Sequence, residues 1–176
     1  MIRLLTYLSD FFRTSLSNGQ NFITIQEEQR HIESYLKIQQ FRYQDTLAYN
    51  IDIDKALYNF TIPKLLLQPL VENALVHGIR GKRGKGRISV TGRLEGGNIV
   101  FCVTDDGVGM DEEKLYNLRK ASVAGSTQSA NIAAFGVGNV NERIHIYYGE
   151  NYGLFFKSQP DVGTTARVLI PARNVS

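Results

Sequence analysis

Apolar residues stand at positions 2, 4, 5, 8, 11, 12 and 16, a helical spacing with one broad apolar face, until Ser17-Asn18-Gly19 breaks it. Thr24-Ile25-Gln26-Glu27 then reads as a capping box, in which the threonine hydroxyl and the glutamate carboxylate satisfy each other's free amides. It predicts a second helix running to roughly Gln44, with Ile25, Ile32, Tyr35, Leu36 and Gln39 facing one way. Two helices with no strand between them suggest an antiparallel hairpin or dimerisation stem over residues 1–45.

From about Thr46 the period changes. Leu47–Ile53 alternates apolar and polar, as a half-buried strand does. Ile62-Pro63 predicts a helix opening with proline in its first turn. Leu65, Leu66, Leu67, Leu70, Val71, Ala74 and Leu75 follow on most of its circumference, so it must be buried. Strands are predicted at Arg87–Leu94 and Asn98–Thr104, joined at Glu95-Gly96-Gly97, then a polar helix over about 111–120. Ala121–Ala134 is rich in Ser, Ala, Gly and Asn without an apolar period, and is expected to be a mobile loop. A short helix over about Val140–Tyr147 and strands Gly153–Ser158 and Thr164–Ile170 complete the pattern. The fold class is therefore α+β: a helical stem, then a domain over 46–176 built as a two-layer α/β sandwich, a mostly antiparallel sheet with helices on one face.

The 176 residues suffice for one domain with a real core and a smaller appendage. The hydrophobic and charged fractions, 43% and 21%, are ordinary for a globular chain. No stretch approaches the roughly 18 apolar residues of a membrane span, and no signal-peptide pattern opens the chain. The single cysteine, Cys102, excludes an internal disulfide and, within Ile99–Val103, reads as an inert core thiol. A net charge of +3 raises nucleic acid as a partner. The excess is local, though: Arg80–Arg87 holds five basic residues with no interleaved aromatic, which fits a basic loop beside an anionic ligand, or a solvated turn, better than a nucleic-acid surface.

Three islands break the structural pattern. Glu72-Asn73-Ala74-Leu75-Val76-His77 puts a polar Asn73 into an apolar helix, with His77 four residues on and on the same face. Thr104-Asp105-Asp106-Gly107-Val108-Gly109-Met110 follows a strand directly; its glycines let backbone approach a ligand and Asp105 offers an acceptor to an amino group. Phe135-Gly136-Val137-Gly138-Asn139-Val140-Asn141-Glu142-Arg143-Ile144 leads glycines into a helix, whose free amides would form an anion site. Each alone has a plain structural reading: a capped asparagine, a tight acidic turn, a glycine-containing helix start. The spacing excludes a calcium loop and a Walker phosphate loop.

Taken together, with Gly163-Thr164 before the last strand, the islands resemble the GHKL superfamily of gyrase, chaperone, histidine-kinase and MutL ATPases. Within it the chain is similar to the sensor histidine kinases of the LytS/YesM type. Pro63–Ala74 is close to that family's asparagine box, Asp105–Met110 to its first glycine box, and Gly136–Ile144 to its second; the resemblance covers about residues 20–171. It implies ATP and Mg²⁺ as cofactors, with Asn73 as metal ligand and His77 near the phosphates. Asp105 would take the adenine amino group, Gly107 and Gly109 would pass close to the base, and Thr164 would lie by the adenine pocket. Gly136 and Gly138 would hinge a lid over 121–135 and present amides to the phosphates. Glu72 belongs to the match without an assigned role.

The same resemblance implies transfer of the ATP γ-phosphoryl group to a histidine on an upstream helix, in a Pro-His-Phe setting that this sequence lacks. Of the three histidines, His31 is read as a solvated helix residue and His145 as surface or helix-end. The chain is thus expected to begin in the second half of the dimerisation hairpin, as the cytoplasmic part of a membrane-anchored bacterial sensor. Its partners would be the phosphoacceptor segment of the same protein, a second copy, and a response regulator. The alternative is a non-catalytic nucleotide-binding regulatory module. A hydrolytic machine of the topoisomerase or chaperone kind is disfavoured, because their general-base glutamate lies one helical turn before the asparagine, and Pro69 stands there.

Overall fold

The computed structural model describes residues 6–9, 11–12, 20–43, 46–124 and 132–174, with backbone only at 123–124 and 132–135. The segment 125–131, central to the expected lid, and most of the first predicted helix lie outside the described residues; 6–9 and 11–12 are helical.

The chain runs β1 (Phe22–Thr24), α1 (Ile25–Tyr43), β2 (Leu47–Ile53), β3 (Thr61–Pro63) and α2 (Gln68–Asn73), which continues as a π-helix over Ala74–Ile79. There follow β4 (Gly86–Glu95), β5 (Asn98–Asp105), α3 (Glu112–Ala124), α4 (Ile132–Tyr148), β6 (Gly153–Gln159) and β7 (Gly163–Pro171). The capping box forms as its spacing dictates: Thr24 N donates to Glu27 Oε2 at 2.8 Å and Glu27 N to Thr24 Oγ1 at 3.2 Å.

Five strands make the main sheet in the order β2-β4-β5-β7-β6, with β2 parallel to β4 and the other pairs antiparallel. Alternate residues of the central strands, among them Ile88, Val90, Phe101, Val103 and Val168, point into one core with Ile32 and Leu36 of α1, Leu70 and Val71 of α2, and Val140 and Ile144 of α4. This two-layer arrangement places the ends of β5 and β7 beside the C-terminal half of α2, and there the cleft described below opens.

Four expectations need correction. Thr61–Pro63 is not the start of a helix but a short strand paired antiparallel with β1, a strand absent from the sequence reading. The buried helix starts only at Gln68, with Pro69 in its first turn, after a bend in which Leu65 takes a φ of 58°. Ala121–Ala134 is not all loop, because α3 runs on to Ala124 and α4 begins at Ile132. His31 is not solvated but fully buried, its ring stacked on Phe11 at 4.6 Å. Cys102, lastly, is half-buried rather than in the core, and burial raises its thiol pKa.

Candidate functional site

Asp105 is the last residue of β5, paired in register with Thr164 of β7. Its side chain is buried, 4% exposed, and no cation pairs with it among the described residues. Gly107 N donates to Asp105 Oδ1 at 2.9 Å. Burial pushes this carboxyl up to about 6, against the opposing pull of the Gly107 and Thr164 amides. A carboxylate so placed has acceptor capacity left over for a ligand's N–H.

Three glycines let backbone close around it. A Cβ on Gly78, in the π-helical turn of α2, would stand 2.3 Å from Asp105 Oδ1, and one on Gly107 would stand 2.2 Å from the Gly78 carbonyl carbon. The two segments are joined where Val108 N donates to Gly78 O at 3.1 Å. Gly109 has φ +63°, and a Cβ there would lie 1.9 Å from Gln159 O. The wide π turn after Asn73 brings Gly78 over the carboxylate; such turns are rare and are often found at functional sites.

Above Asp105 lies a cleft of about 570 Å³ between α2, the 107–110 loop and α3. Leu70, Ala74, Val103, Leu118, Phe156 and Ala166 give it apolar walls; Asn73, His77, Lys114, Asn117 and Thr164 supply polar groups. Thr164 is held by Ser158, whose Oγ lies 2.8 Å from Thr164 Oγ1 and accepts from Met110 N at 2.8 Å. An apolar slot with a buried acceptor adjoining its wall and an amide and an imidazole on one helix face suits a flat heteroaromatic ring bearing an amino group and a polar tail.

A family described as histidine kinase-, DNA gyrase B- and HSP90-like ATPases matches residues 61–174. The chain belongs to this ATPase family. A second model, for histidine kinases, matches residues 1–47. Sensor histidine kinase YesM of Bacillus subtilis is 32% identical over 172 residues, 98% of this chain and 28% of that protein. Sensor protein LytS of Staphylococcus haemolyticus is 32% identical over 174 residues, covering 98% and 29%. Sensor histidine kinase BtsS of Escherichia coli is 31% identical over 172 residues, covering 98% and 28%. The chain thus spans less than a third of these relatives' length. Among solved structures, the catalytic domain of histidine kinase ThkA superposes with a TM-score of 0.63 at 12% identity, over 88% of this chain and 99% of that one. The histidine kinase domain of the Erythrobacter litoralis EL346 blue-light activated kinase gives 0.60 at 17%, over 97% and 73%. These likenesses show a shared fold.

Within this ATPase frame, Asn73, His77, Gly109 and Thr164 line one cleft, whereas Asp105 and Gly107 do not line it but pack against Gly78 and Thr164 of its wall. Gly136 and Gly138 are not brought there. They lie inside α4 rather than ahead of it, and Gly136 borders a separate groove with Leu65, Pro69 and Ile146. Glu72 faces away from the cleft, accepting from Gln68 Nε2 at 2.7 Å. Sequence reasoning missed Gly78, Ser158, Lys114 and Asn117. Gly78, directly after His77, carried a legible signal; the other three are ordinary polar residues whose roles depend on tertiary placement.

Proposed function

We propose that this chain is the ATP·Mg²⁺-binding catalytic domain of a sensor histidine kinase, residues 46–176 holding the nucleotide and residues 1–45 forming part of its stem. The observation that carries the reading is Asp105, buried directly behind Gly78 and Thr164 in the wall of an apolar cleft, with no salt-bridge partner among the described residues. Its carboxylate takes the adenine amino group, and the walls from Leu70 to Ala166 take the purine faces. Guanine presents a carbonyl at the corresponding position, which a carboxylate repels.

Among the described residues, no group of three or more His, Cys, Asp or Glu side chains makes a ready metal cage. Magnesium suits such a site, since it is commonly held by one or two protein oxygens together with phosphates and water. Asn73, half-exposed on the cleft face of α2, offers that oxygen; the ion would neutralise charge on the phosphates. His77, exposed at the same mouth, donates to a phosphate oxygen.

The γ-phosphoryl group goes to a histidine of the same full-length protein outside these residues, and from there to a response regulator, with the full-length protein a dimer. No helix of the described residues is long and apolar enough to cross a membrane, so anchoring rests with other segments. His31 is withdrawn from the acceptor role by its burial. Calorimetry with ATP and GTP, each with Mg²⁺, tests the reading: ATP binds in the micromolar-to-millimolar range and GTP more weakly. Equal affinities, or none for either, overturn it. Incubated alone with labelled ATP, residues 1–176 acquire no acid-labile phosphate.

A further inference from the structure

Helix α2 brings Asn73 and His77 to the cleft, yet nothing in its own sequence caps it. Leu67, at the N-cap position, makes no side-chain hydrogen bond. The first amides of a helix need an acceptor from somewhere. Glu28 on α1 supplies one to Gln68 and also holds the bend before the helix: Oε1 accepts from Leu67 N, 39 residues on, at 2.8 Å, and Oε2 from Leu65 N at 3.1 Å. Glu28 is fully buried and is an ordinary-looking glutamate of a polar helical run.

The grip continues along both helices. One turn after Glu28, His31 Nε2 meets Gln68 Oε1. Gln68 in turn donates from Nε2 to Glu72 Oε1 at 2.7 Å, one turn further along α2. Because Gln68 gives its amino group to Glu72, its oxygen is left for His31, which therefore donates from Nε2 as the neutral tautomer. Burial favours that neutral form. Among the described residues His31 Nδ1 has no hydrogen-bond partner, so the ring's hydrogen bond is to Gln68 and its face stacks on Phe11.

Adjacent helical residues project about 100° apart. A Glu72 held against the stem side therefore fixes the rotational phase at which Asn73 enters the cleft. Directly after Asn73 the backbone leaves α-helical hydrogen bonding for the π turn, so this phase is set from the N-terminal side. We propose that Glu28, His31, Gln68 and Glu72 form a ladder of positioning residues through which the stem helix sets the placement of Asn73, so that stem conformation and Mg²⁺-dependent nucleotide affinity are coupled. This rests on the ATP·Mg²⁺ reading of the cleft. Glu72 thereby acquires a role as a hydrogen-bond acceptor turned away from the chemistry.

Coupling of this kind is reciprocal. The test therefore measures ATP affinity with Mg²⁺ and with chelator for the parent, Gln68→Ala, Glu72→Ala, Glu72→Gln and Ile170→Val, well below each melting temperature. It also follows the His31 imidazole resonances during the titration. Ile170 is buried in β7, at the end of the strand far from Thr164, and its variant controls for lost stability. Gln68→Ala and Glu72→Ala should weaken Mg²⁺·ATP binding about 5–20-fold, within the usual range of coupling, and change magnesium-free binding less than about twofold. Glu72→Gln, which keeps an acceptor oxygen, and Ile170→Val should bind as the parent does. The His31 signals should shift with Mg²⁺·ATP in the parent and stay still in Gln68→Ala. A parent that binds no nucleotide overturns the ATP reading. A parent that binds normally, with unchanged Gln68→Ala affinity and unmoved His31 signals, overturns the ladder alone. Loss in Glu72→Gln equal to that in Glu72→Ala also overturns it, since the charge would then be what matters.

Discussion

Two buried carboxylates lie at the two ends of the α2 and π-helix segment, neither in a salt bridge among the described residues. Glu28 approaches from the stem and gives both oxygens to backbone amides of the bend entering the helix. Asp105 approaches from the sheet, accepts from Gly107, and lies against Gly78 in the wall of a cleft. Burial raises the pKa of both. A desolvated carboxylate whose hydrogen bonds all close within the protein holds two elements together; one whose hydrogen bonds are left partly open selects a ligand. The surroundings make the difference: a bend that must be capped in one case, a glycine-lined slot in the other.

The largest effect expected from this contrast is on stability at Glu28. Glu28→Ala leaves the Leu65 and Leu67 amides buried and unsatisfied, at about 1–3 kcal/mol each, partly offset by removal of a desolvated charge. A net loss of about 2–4 kcal/mol, or roughly 4–16 °C in melting temperature, should appear in thermal unfolding. Asp105 should behave in the reverse sense. Asp105→Ala should weaken ATP binding by about 10–150-fold, the worth of a hydrogen bond to a charged group. Asp105→Asn, which keeps an acceptor for Gly107 N while removing the charge, should melt above the parent at pH 8. If Asp105→Asn melts lower and Glu28→Ala melts unchanged, the two carboxylates have been assigned the wrong way round.

The sequence reveals these two sites unequally, for a physical reason. Asp105 sits where glycines are needed by the backbone itself, and Gly107 and Gly109 leave a composition signature that spacing alone exposes. The sheet was legible in part, because β2 and most of β4 and β7 alternate over one buried face, while β5 shows as a run of apolar residues. Glu28 and His31 lie in Glu27–Glu33, a run whose polarity matches any solvated helix. What buries them is the bend at Leu65, 37 residues away, which no local period announces. The same bend explains the misplaced start of α2: Ile62-Pro63 has helix-opening chemistry, but pairing with β1 holds it extended. Gly136 and Gly138 lie within α4 rather than ahead of it, a difference the sequence does not show because a Gly-x-Gly before a helix and one inside it look alike.

A change of pH sharpens the contrast at Asp105, whose titration bears on the cleft. Its folded value of about 6 lies above the ordinary 3.8, so the stability it contributes is fully present below 3.8 and is lost as pH rises through 6. On the proposed reading nucleotide binding runs the other way, because the adenine amino group would need the ionised acceptor. Affinity should fall about tenfold between pH 7.5 and pH 5, where roughly a tenth of the carboxyl remains ionised. Calorimetry across this range checks it, with Asp105→Asn as the reference that removes titration of the nucleotide itself. A parent profile parallel to that of Asp105→Asn would mean that Asp105 does not read the base.

The smallest effect belongs to the neighbour, Asp106, which has the same side chain one residue on and faces solvent. Its Oδ1 accepts from Arg87 N at 2.7 Å and its Oδ2 lies 3.0 Å from Lys82 Nζ, so it ties the basic 80–87 loop to the start of β4. Partial burial raises its pKa, but the Arg87 amide and the Lys82 ammonium outweigh this and hold it below the ordinary value. The pair is part-exposed, at 29% for Lys82 and 48% for Asp106, and exposed ion pairs contribute about 0.2–1 kcal/mol that salt screens. Lys82→Ala should therefore lower the melting temperature by no more than about 1–3 °C, and the difference should shrink in 0.5 M salt. With Lys82 occupied by Asp106 rather than turned to the cleft, ATP affinity should change less than about twofold. A tenfold loss of affinity in Lys82→Ala would instead put the basic loop on the phosphates. Asp106 would then be the residue that holds it ready, and the division between a ligand-reading Asp105 and a merely structural Asp106 would fail.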